Sequence, residues 1–328
     1  MTTSAKLTRR RALTAVAGLA GLAASRIGAA RAQSSKLLRI AYLKAPNDLA
    51  IAKAHGSLER TLAGLGVRVE WAGPFAAAAP AVEALNAGAV DMTVGSSTSF
   101  ITSRAAGVDL VMFGYQRMLP AAEAILVAAV SPIRTVADLA GRSVAVNRGG
   151  TGEYILVRAL TQAGILLDRV KRVYLGPVDA NTAFSSGAVD AWAIWDPFLS
   201  IALETGAARV LADGAKSGSE NAVAYFVSSR YLAANRPVID SVLSVLEREN
   251  GWARANVAEA GAIWAREMGL PASLAARLGA NNTPPVGAVD ALAASQVEHI
   301  ADWYAQNAIV PTRPAITPFL IDLDRANP

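Results

Sequence analysis

Residues 38–62, LRIAYLKAPNDLAIAKAHGSLERTL, contain a mostly apolar run, a short polar loop and an amphipathic segment, in that order. Leu38–Leu43 is typical of a buried strand, and Asp48–Leu62 is predicted to be one helix. The apolar positions of that helix recur at helical spacing: Ala50, Ile51, Ala54, Leu58 and Leu62. The same order of short apolar run and helical pattern recurs along most of the chain. This alternation predicts an α/β fold with largely parallel sheets.

Two points in the alternating pattern, a crossing and a later return strand, predict that the chain forms two lobes. Pro120–Ala122 marks a crossing point, and Val223–Val227 is predicted to be a return strand, after which the pattern is helical almost to the end. We therefore predict two three-layer α/β lobes joined by two hinge strands, formed by residues 36–121 with 224–328 and by residues 122–223. Glu123 lies at the crossing, as a hinge ion-pair partner or a ligand acceptor.

Composition bounds the chemistry that the 328 residues can perform. Hydrophobic residues make up 53% of the chain and charged residues 17%, as in a folded protein of about two domains. The chain has no cysteine, which rules out disulfides, thiol nucleophiles and lipid attachment at an N-terminal cysteine. Two histidines, His55 and His299, leave little scope for a metal site, and each is interpreted as a packed or half-exposed helix residue.

Sequence motifs of catalysis are missing as well. No Gly-x-Gly-x-x-Gly follows a predicted strand, and the chain has neither a phosphate-binding loop nor a Gly-x-Ser-x-Gly elbow. We therefore expect a protein that is not an enzyme and that carries no metal or cofactor.

The positive charge is confined to the N-terminal segment. Residues 1–32 contain six basic side chains and no acidic one, leaving 25 basic and 26 acidic residues in the rest of the chain. A nearly neutral body gives no electrostatic reason to expect nucleic-acid binding. The segment combines a basic start, the uncharged run Ala12–Ala24 and a small-residue cleavage site before Gln33, as signal peptides do.

The segment Thr8–Leu13 resembles a twin-arginine export signal, with an ordinary secretory signal as the alternative. The run Ala12–Ala24 is shorter than the ~20 residues of a membrane-spanning helix. Because export by either route leads to the same compartment and no cysteine can carry a lipid, we expect a free periplasmic protein, and a monomer.

Ligands of open α/β sheets bind beyond the carboxyl ends of the strands, where loops lead into helix N-termini. Five such junctions carry small or capping residues: 44–48, 95–99, 147–152, 176–179 and 195–197. Unpaired N–H groups at helix starts attract anions, and glycines let an anion approach the backbone. Neutral N–H and hydroxyl donors suit a small tetrahedral anion, although the same residues are expected as helix caps without any ligand.

Two further side chains at these junctions, Lys44 and Asp196, have two interpretations each. Lys44 is either solvated or directed at an anion. Trp195 ends a strand and is expected to form an apolar wall of the cleft, whereas Trp192 is expected in the core. Asp196 either begins a helix before Pro197 or holds a water or a cationic group of the ligand. Asp179 is interpreted mainly as a helix N-cap.

Several stretches resemble the substrate-binding proteins of ABC importers for aliphatic sulfonates, taurine and nitrate, and most closely the aliphatic-sulfonate branch. The matching stretches are Ala50–His55, Glu83–Gly88, Ser131–Leu139 and, the most specific, Gly187–Phe198. The resemblance extends over nearly all of residues 38–315. It implies a type II periplasmic binding fold that closes on its ligand and docks to an ATP-driven permease.

The resemblance also implies which loops hold the sulfonate: Ala45–Asn47, Ser96–Thr98 and Gly149–Thr151, with Trp195 and Asp196 beside the substituent. The first two loops depart from the family pattern, with Ala45-Pro46-Asn47 in place of glycine or serine and Gly95-Ser96-Ser97 in place of Thr-Gly-Asp. The predicted binding residues are Lys44, Pro46, Asn47, Ser96, Ser97, Thr98, Gly149, Gly150, Thr151, Trp195 and Asp196.

Capture of an alkanesulfonate for import is therefore the principal functional hypothesis. Alternatives of the same class are binders of taurine, nitrate, an aromatic acid or a pyrimidine precursor. An enzyme on the same fold and the sensing domain of a transcription regulator are alternatives of other classes, and the export signal argues against the regulator.

Overall fold

The computed structural model describes residues 36–323, so the predicted signal peptide at residues 1–32 lies outside the described residues. The strands are β1 (Lys36–Leu43), β2 (Val67–Phe75), β3 (Met92–Ser96), β4 (Leu110–Arg117), β5 (Glu123–Ala128), β6 (Ser143–Val146), β7 (Lys171–Tyr174), β8 (Ala191–Trp195), β9 (Ala208–Asp213), β10 (Ala222–Ser228) and β11 (Val286–Gly287). The helices are α1 (Asp48–His55), α2 (Ser57–Ala63), α3 (Ala78–Asn86), α4 (Ser97–Ala105), α5 (Thr151–Gln162), α6 (Pro177–Ser185), α7 (Phe198–Glu204), α8 (Ser229–Ala255), α9 (Val257–Glu267), α10 (Ala275–Asn281) and α11 (Ala291–Gln306).

The strands form two mixed sheets. The first has the order β11-β4-β10-β3-β1-β2, and the second has the order β7-β6-β8-β5-β9. Within the first sheet β1 is parallel to β2 and β3, and within the second sheet β6 is parallel to β7 and β8. Strands β10 and β5 pair antiparallel with their neighbours. The strands divide between the sheets as the predicted lobes do, and the lobe boundaries themselves stay a prediction.

Apolar side chains of the central strands form the core. Ile40 of β1, Phe113 of β4 and Phe226 of β10 are fully buried in the first sheet, as are Ile125 and Val127 of β5 in the second. Burial of each such side chain contributes about 1.5–3 kcal/mol. Within residues 36–323, none of the helices has the length and apolarity needed to cross a bilayer.

Several predicted elements differ from the observed ones, each for a local reason. The helix predicted over Asp48–Leu62 is interrupted at Gly56, whose φ of 63° ends α1 before α2 begins. Asp179 is not an N-cap, because α6 begins at Pro177 after Gly176. A helix starting at Asp196-Pro197 is one of the two interpretations of Asp196; α7 begins at Phe198, with Pro197 as its N-cap. The edge strand β9 is not predicted as an element.

Two segments of chain connect the sheets, residues 118–122 and 214–221. Rather than continuous hinge strands, they contain the 3-10 turn Pro120–Ala122 and irregular chain. They bond to each other, because Met118 N–H donates to the Asn221 carbonyl oxygen (3.1 Å) and Gly214 N–H donates to that of Pro120 (3.0 Å). The loops after the parallel strands of each sheet lie at the carboxyl edge of that sheet.

Candidate functional site

One cleft of about 410 Å³ collects the loop tips of both sheets. Its volume lies in the usual range of small-molecule sites. From the first sheet come the loop after β1, the start of α3, the end of β3 and the inner face of α4. From the second come the loops after β6, β7 and β8. The lining residues used below are Pro46, Asn47, Ala77, Pro80, Ser96, Thr102, Asn147, Arg148, Gly149, Gly150, Thr151, Tyr174, Trp195, Asp196 and Asn282.

The structure brings together most of the residues predicted for the site. Eight of them line the cleft: Pro46, Asn47, Ser96, Gly149, Gly150, Thr151, Trp195 and Asp196. The other three, Lys44, Ser97 and Thr98, are not among its lining residues. Ser97 and Thr98 are fully buried because α4 begins at Ser97, two residues earlier than predicted.

The glycine loop after β6 is organised mainly by the protein itself. The Gly149 N–H donates to Glu153 Oε2 (2.6 Å), and the Gly152 N–H donates to Asn147 Oδ1 (2.8 Å). A Cβ on Gly150 would lie 1.8 Å from Asn147 Nδ2. These glycines therefore make room for the chain's own side chains, which is a different use from the predicted approach of an anion to bare backbone.

Three donors remain at this end of α5. Within residues 36–323, the Asn147 Nδ2 amide and the Thr151 N–H have no hydrogen-bond acceptor. The Thr151 Oγ1 accepts from Asn221 Nδ2 (2.9 Å), which leaves the hydroxyl proton for another acceptor. Since Asn147 and Thr151 both line the cleft, these donors can serve an anionic head group.

The hydroxyl groups of α4 are more fully occupied than those of α5. Ser96 and Ser99 form a capping box, and Ser96 Oγ also lies 2.7 Å from Thr98 Oγ1. Thr102 Oγ1 donates back to backbone carbonyl oxygens of the preceding turn. This half of the cleft therefore offers few free hydroxyl donors, and its role is mainly to shape the wall.

A buried polar network lies at the connection between the sheets. The Asn221 side chain is 1% exposed, donates to Thr151 and to Glu123 Oε2 (3.3 Å), and accepts from Ser97 Oγ (2.9 Å). Burial raises the pKa of Glu123 to about 7, and its partners Ser219 and Asn221 partly offset that rise. No ion pair of Glu123 exists among the described residues, so the network links the hinge to the cleft through Thr151 by hydrogen bonds and not by ion pairs.

This network predicts a pH dependence of stability. Because the folded-state pKa of Glu123 is raised, its ionisation opposes folding, and stability falls as pH rises from the ordinary glutamate pKa through about 7. Between about pH 5 and about pH 8, the unfolding free energy of the wild type should fall by about 2 kcal/mol more than that of Glu123→Gln, which has no carboxyl to ionise. Urea unfolding at the two pH values measures this. The exposed Glu83→Gln is the control, and an unchanged slope in Glu123→Gln would contradict the assignment.

Asp196 connects the two sides of the cleft. Its Oδ1 accepts from the Ser200 hydroxyl (2.6 Å) and backbone N–H (3.0 Å), and its Oδ2 accepts from the side-chain amides of Asn281 (3.0 Å) and Asn282 (3.1 Å). Burial raises the pKa of Asp196, and these four donors offset part of the rise. Because both oxygens have protein partners, the carboxylate is not free for a cationic group of a ligand.

Apolar surface forms much of the remaining wall. Trp195 is half-buried, lines the cleft and meets Phe198 edge to face, whereas Trp192 is 1% exposed and packs beside Phe184. Ala77–Pro80 at the start of α3 also line the cleft. The cleft therefore has a polar end at the glycine loop and an apolar surface for a ligand tail.

The polar cleft residues Asn147, Arg148, Tyr174 and Asn282 lie outside the predicted set of binding residues. Asn147 and Arg148 belong to the predicted junction 147–152, of which the predicted set includes only Gly149, Gly150 and Thr151. The Arg148 guanidinium lies 3.6 Å from the centre of the Tyr174 ring, and the lining is therefore not wholly neutral. Tyr174 and Asn282 reach the cleft through the tertiary fold, and no local motif marks them.

The two histidines contact glutamates elsewhere. His55 Nδ1 contacts Glu249 Oε2 (2.7 Å), and His299 Nδ1 contacts Glu220 Oε2 (2.9 Å). Neither lines the cleft. Over residues 36–323, no group of three or more histidine, aspartate or glutamate side chains could hold a metal ion.

The fold has two mixed β-sheets, and the loops at their strand ends enclose one ligand-sized cleft. This arrangement defines the fold of a periplasmic binding protein. Residues 62–260 match the family described as NMT1/THI5 like. A protein of Escherichia coli (strain K12), named as an aliphatic sulfonates-binding protein, is 37% identical over 301 residues, which cover 91% of this chain and 92% of that protein. The chain belongs to the NMT1/THI5-like family.

Two solved structures are similar throughout. The periplasmic aliphatic sulphonate binding protein SsuA from Escherichia coli has a TM-score of 0.78 and 36% identity, covering 88% of this chain and 93% of that one. The alkanesulfonate-binding protein SsuA from Xanthomonas axonopodis pv. citri, bound to MOPS, has a TM-score of 0.80 and 33% identity, covering 86% and 96%. These matches confirm the predicted fold class and the predicted family.

Proposed function

We propose that this protein is the substrate-binding component of an ABC importer and captures an aliphatic sulfonate. The observation that carries the proposal is similarity along nearly the whole chain to proteins named for binding aliphatic sulfonates. The cleft supports it, because the Asn147 amide, the Thr151 N–H and the Thr151 hydroxyl can donate to sulfonate oxygens. The Trp195 face supplies apolar surface for the carbon chain.

The cleft favours an alkanesulfonate over taurine or nitrate. Taurine carries an ammonium group, and the Asp196 carboxylate already accepts four hydrogen bonds from the protein. Nitrate has no tail to cover Trp195, and an empty apolar wall contributes nothing to its affinity.

Binding without turnover is the second part of the proposal. Acid–base catalysis needs a titratable group within hydrogen-bond reach of the ligand. Both histidines pair with glutamates outside the cleft, and Asp196 is held by amides and a serine. Closure of the two halves around the ligand would then present the loaded protein to a membrane permease. The basic, cysteine-free N-terminal segment supports export to the periplasm.

Calorimetry with purified protein tests the proposal. We expect 1-alkanesulfonates to bind at micromolar dissociation constants or tighter, with sulfate, nitrate and aromatic acids weaker. Incubation with each ligand, followed by analysis of the ligand, should return it unchanged. Absence of measurable heat with every sulfonate, or conversion of a sulfonate to product, would overturn the proposal.

Trp195→Ala should weaken alkanesulfonate binding about 10-fold or more, because it removes the largest apolar surface beside the polar end of the cleft. Ligand addition should also change the intrinsic fluorescence of the wild type, and Trp195→Ala should lose most of that change. Trp71→Phe, which alters an indole outside the cleft, is the matched control. Equal affinities for Trp195→Ala and wild type would place the ligand away from this indole.

A further inference from the structure

The charge of Arg148 has no counter-charge within the described chain. Its side chain is exposed at the cleft, and residues 36–323 contain neither an ion-pair partner nor a hydrogen-bond acceptor for its guanidinium. An arginine stays protonated at all physiological pH values. The cleft therefore carries a permanent positive charge beside its neutral donors.

Arg148 is held in place by an aromatic face, which is itself fixed. The guanidinium lies 3.6 Å from the Tyr174 ring centre, and the Tyr174 hydroxyl donates to Glu153 Oε1 (2.7 Å). Stacking on the ring orients the side chain and leaves its N–H groups available. The fixed position lowers the entropy cost of pairing with a ligand group.

Neighbouring carboxylates do not neutralise this charge. Glu153 is buried and pairs with Arg172 Nη1 (2.9 Å), so its charge is already balanced. Asp196, the acidic residue of the cleft lining, takes hydrogen bonds from Ser200, Asn281 and Asn282. The carboxylates near Arg148 therefore leave its positive charge available to a ligand.

We propose that the cleft selects organic sulfonates that carry a second anionic group, a carboxylate or another sulfonate, which pairs with Arg148. The inference rests on the proposed function, because the first sulfonate is taken to occupy the neutral donors at Asn147 and Thr151. The planar guanidinium can bind the second group through two parallel N–H donors. Such a ligand would extend from the Asn147 and Thr151 donors to the Arg148 guanidinium over the Tyr174 ring, with its carbon chain between its two anionic groups.

Matched ligand pairs test this selection by calorimetry. 3-Sulfopropanoate is compared with 1-propanesulfonate, and 4-sulfobutanoate with 1-butanesulfonate. In each pair the dianion has a carboxylate where the monoanion has its terminal methyl group. For the tighter-binding of the two dianions, we expect a dissociation constant about tenfold lower than that of its matched monoanion, because one charge-assisted hydrogen bond contributes about that much. The advantage should shrink as salt rises from about 0.01 M to about 1 M, because the pair is partly exposed.

Variants identify the group responsible. Arg148→Gln should reduce the ratio of dianion to monoanion affinity to about one, whereas Arg134→Gln, an exposed arginine outside the cleft, should keep the wild-type ratio. Monoanions that bind with no advantage for the dianions would overturn the inference and leave the proposed function standing. An unchanged ratio in Arg148→Gln would also overturn it. If neither class binds the wild type, the proposed function itself fails.

Discussion

Asn221→Leu should lower the free energy of unfolding by about 3 kcal/mol or more, because the leucine fills the space of the amide without replacing its hydrogen bonds. Three buried groups each lose one hydrogen bond: the Glu123 carboxyl, the Thr151 hydroxyl and the Ser97 hydroxyl. Glu123 keeps Ser219 and Ser97 keeps the Ala222 N–H, but a buried polar group that loses a partner still costs about 1–3 kcal/mol.

Urea unfolding measures the loss, with Asn86→Leu at the exposed end of α3 as the control for an added apolar side chain. Ligand binding provides a second readout at a temperature where the variant is folded. Because Asn221 orients the Thr151 hydroxyl, we expect sulfonate affinity to fall about tenfold or more. A variant with wild-type stability and affinity would show that the network is incidental to both.

Gly152→Ala should weaken ligand binding about 100-fold and lower the unfolding free energy by about 1–3 kcal/mol. A Cβ at this position would lie 2.3 Å from the Ala193 carbonyl oxygen and 2.8 Å from Asn147 Oδ1. The Ala193 atom belongs to the backbone of β8 and cannot rotate away, so the start of α5 must shift. That shift would break the Gly152–Asn147 hydrogen bond and misplace the Thr151 and Asn147 donors.

Gly251→Ala is the matched control for Gly152→Ala. Gly251 lies in α8, and a Cβ there would meet nothing within 4 Å. In an open helical position alanine stabilises by about 0.5–1 kcal/mol relative to glycine, so this variant should be at least as stable as the wild type. Calorimetry and urea unfolding on both variants separate the effects. Full binding by Gly152→Ala would mean that the start of α5 does not contact the ligand.

Local patterns identified the loops of the cleft but not the use of each residue in them. Glycine, serine and asparagine after a strand predict a helix start, and these residue types serve equally as caps and as ligand donors. In the structure Ser96 forms a capping box, whereas Thr151 keeps its proton for another acceptor. The difference comes from Asn221, which lies 70 residues further along the chain.

Two secondary-structure predictions differ from the structure because apolar spacing reports neither backbone conformation nor strand pairing. The apolar spacing over 48–62 continues through Gly56, so periodicity alone predicts one helix, while the positive φ of that glycine divides it. Strand β9 is an edge strand paired only with β5, and its sequence shows weak alternation because just part of it is buried. Edge strands depend on their partner more than on their own pattern.

The amino-acid sequence by itself determined the α/β class, the family and the loops that line the cleft, because strand and helix periodicities and short motifs are local properties of a chain. Only the tertiary structure decided that Asp196 is held by Asn281 and Asn282, that Glu153 is balanced by Arg172 and that Arg148 rests on Tyr174. Whether a polar group is available to a ligand depends on which partners surround it in space. Those partners come from segments distant in sequence, brought together by burial of the core.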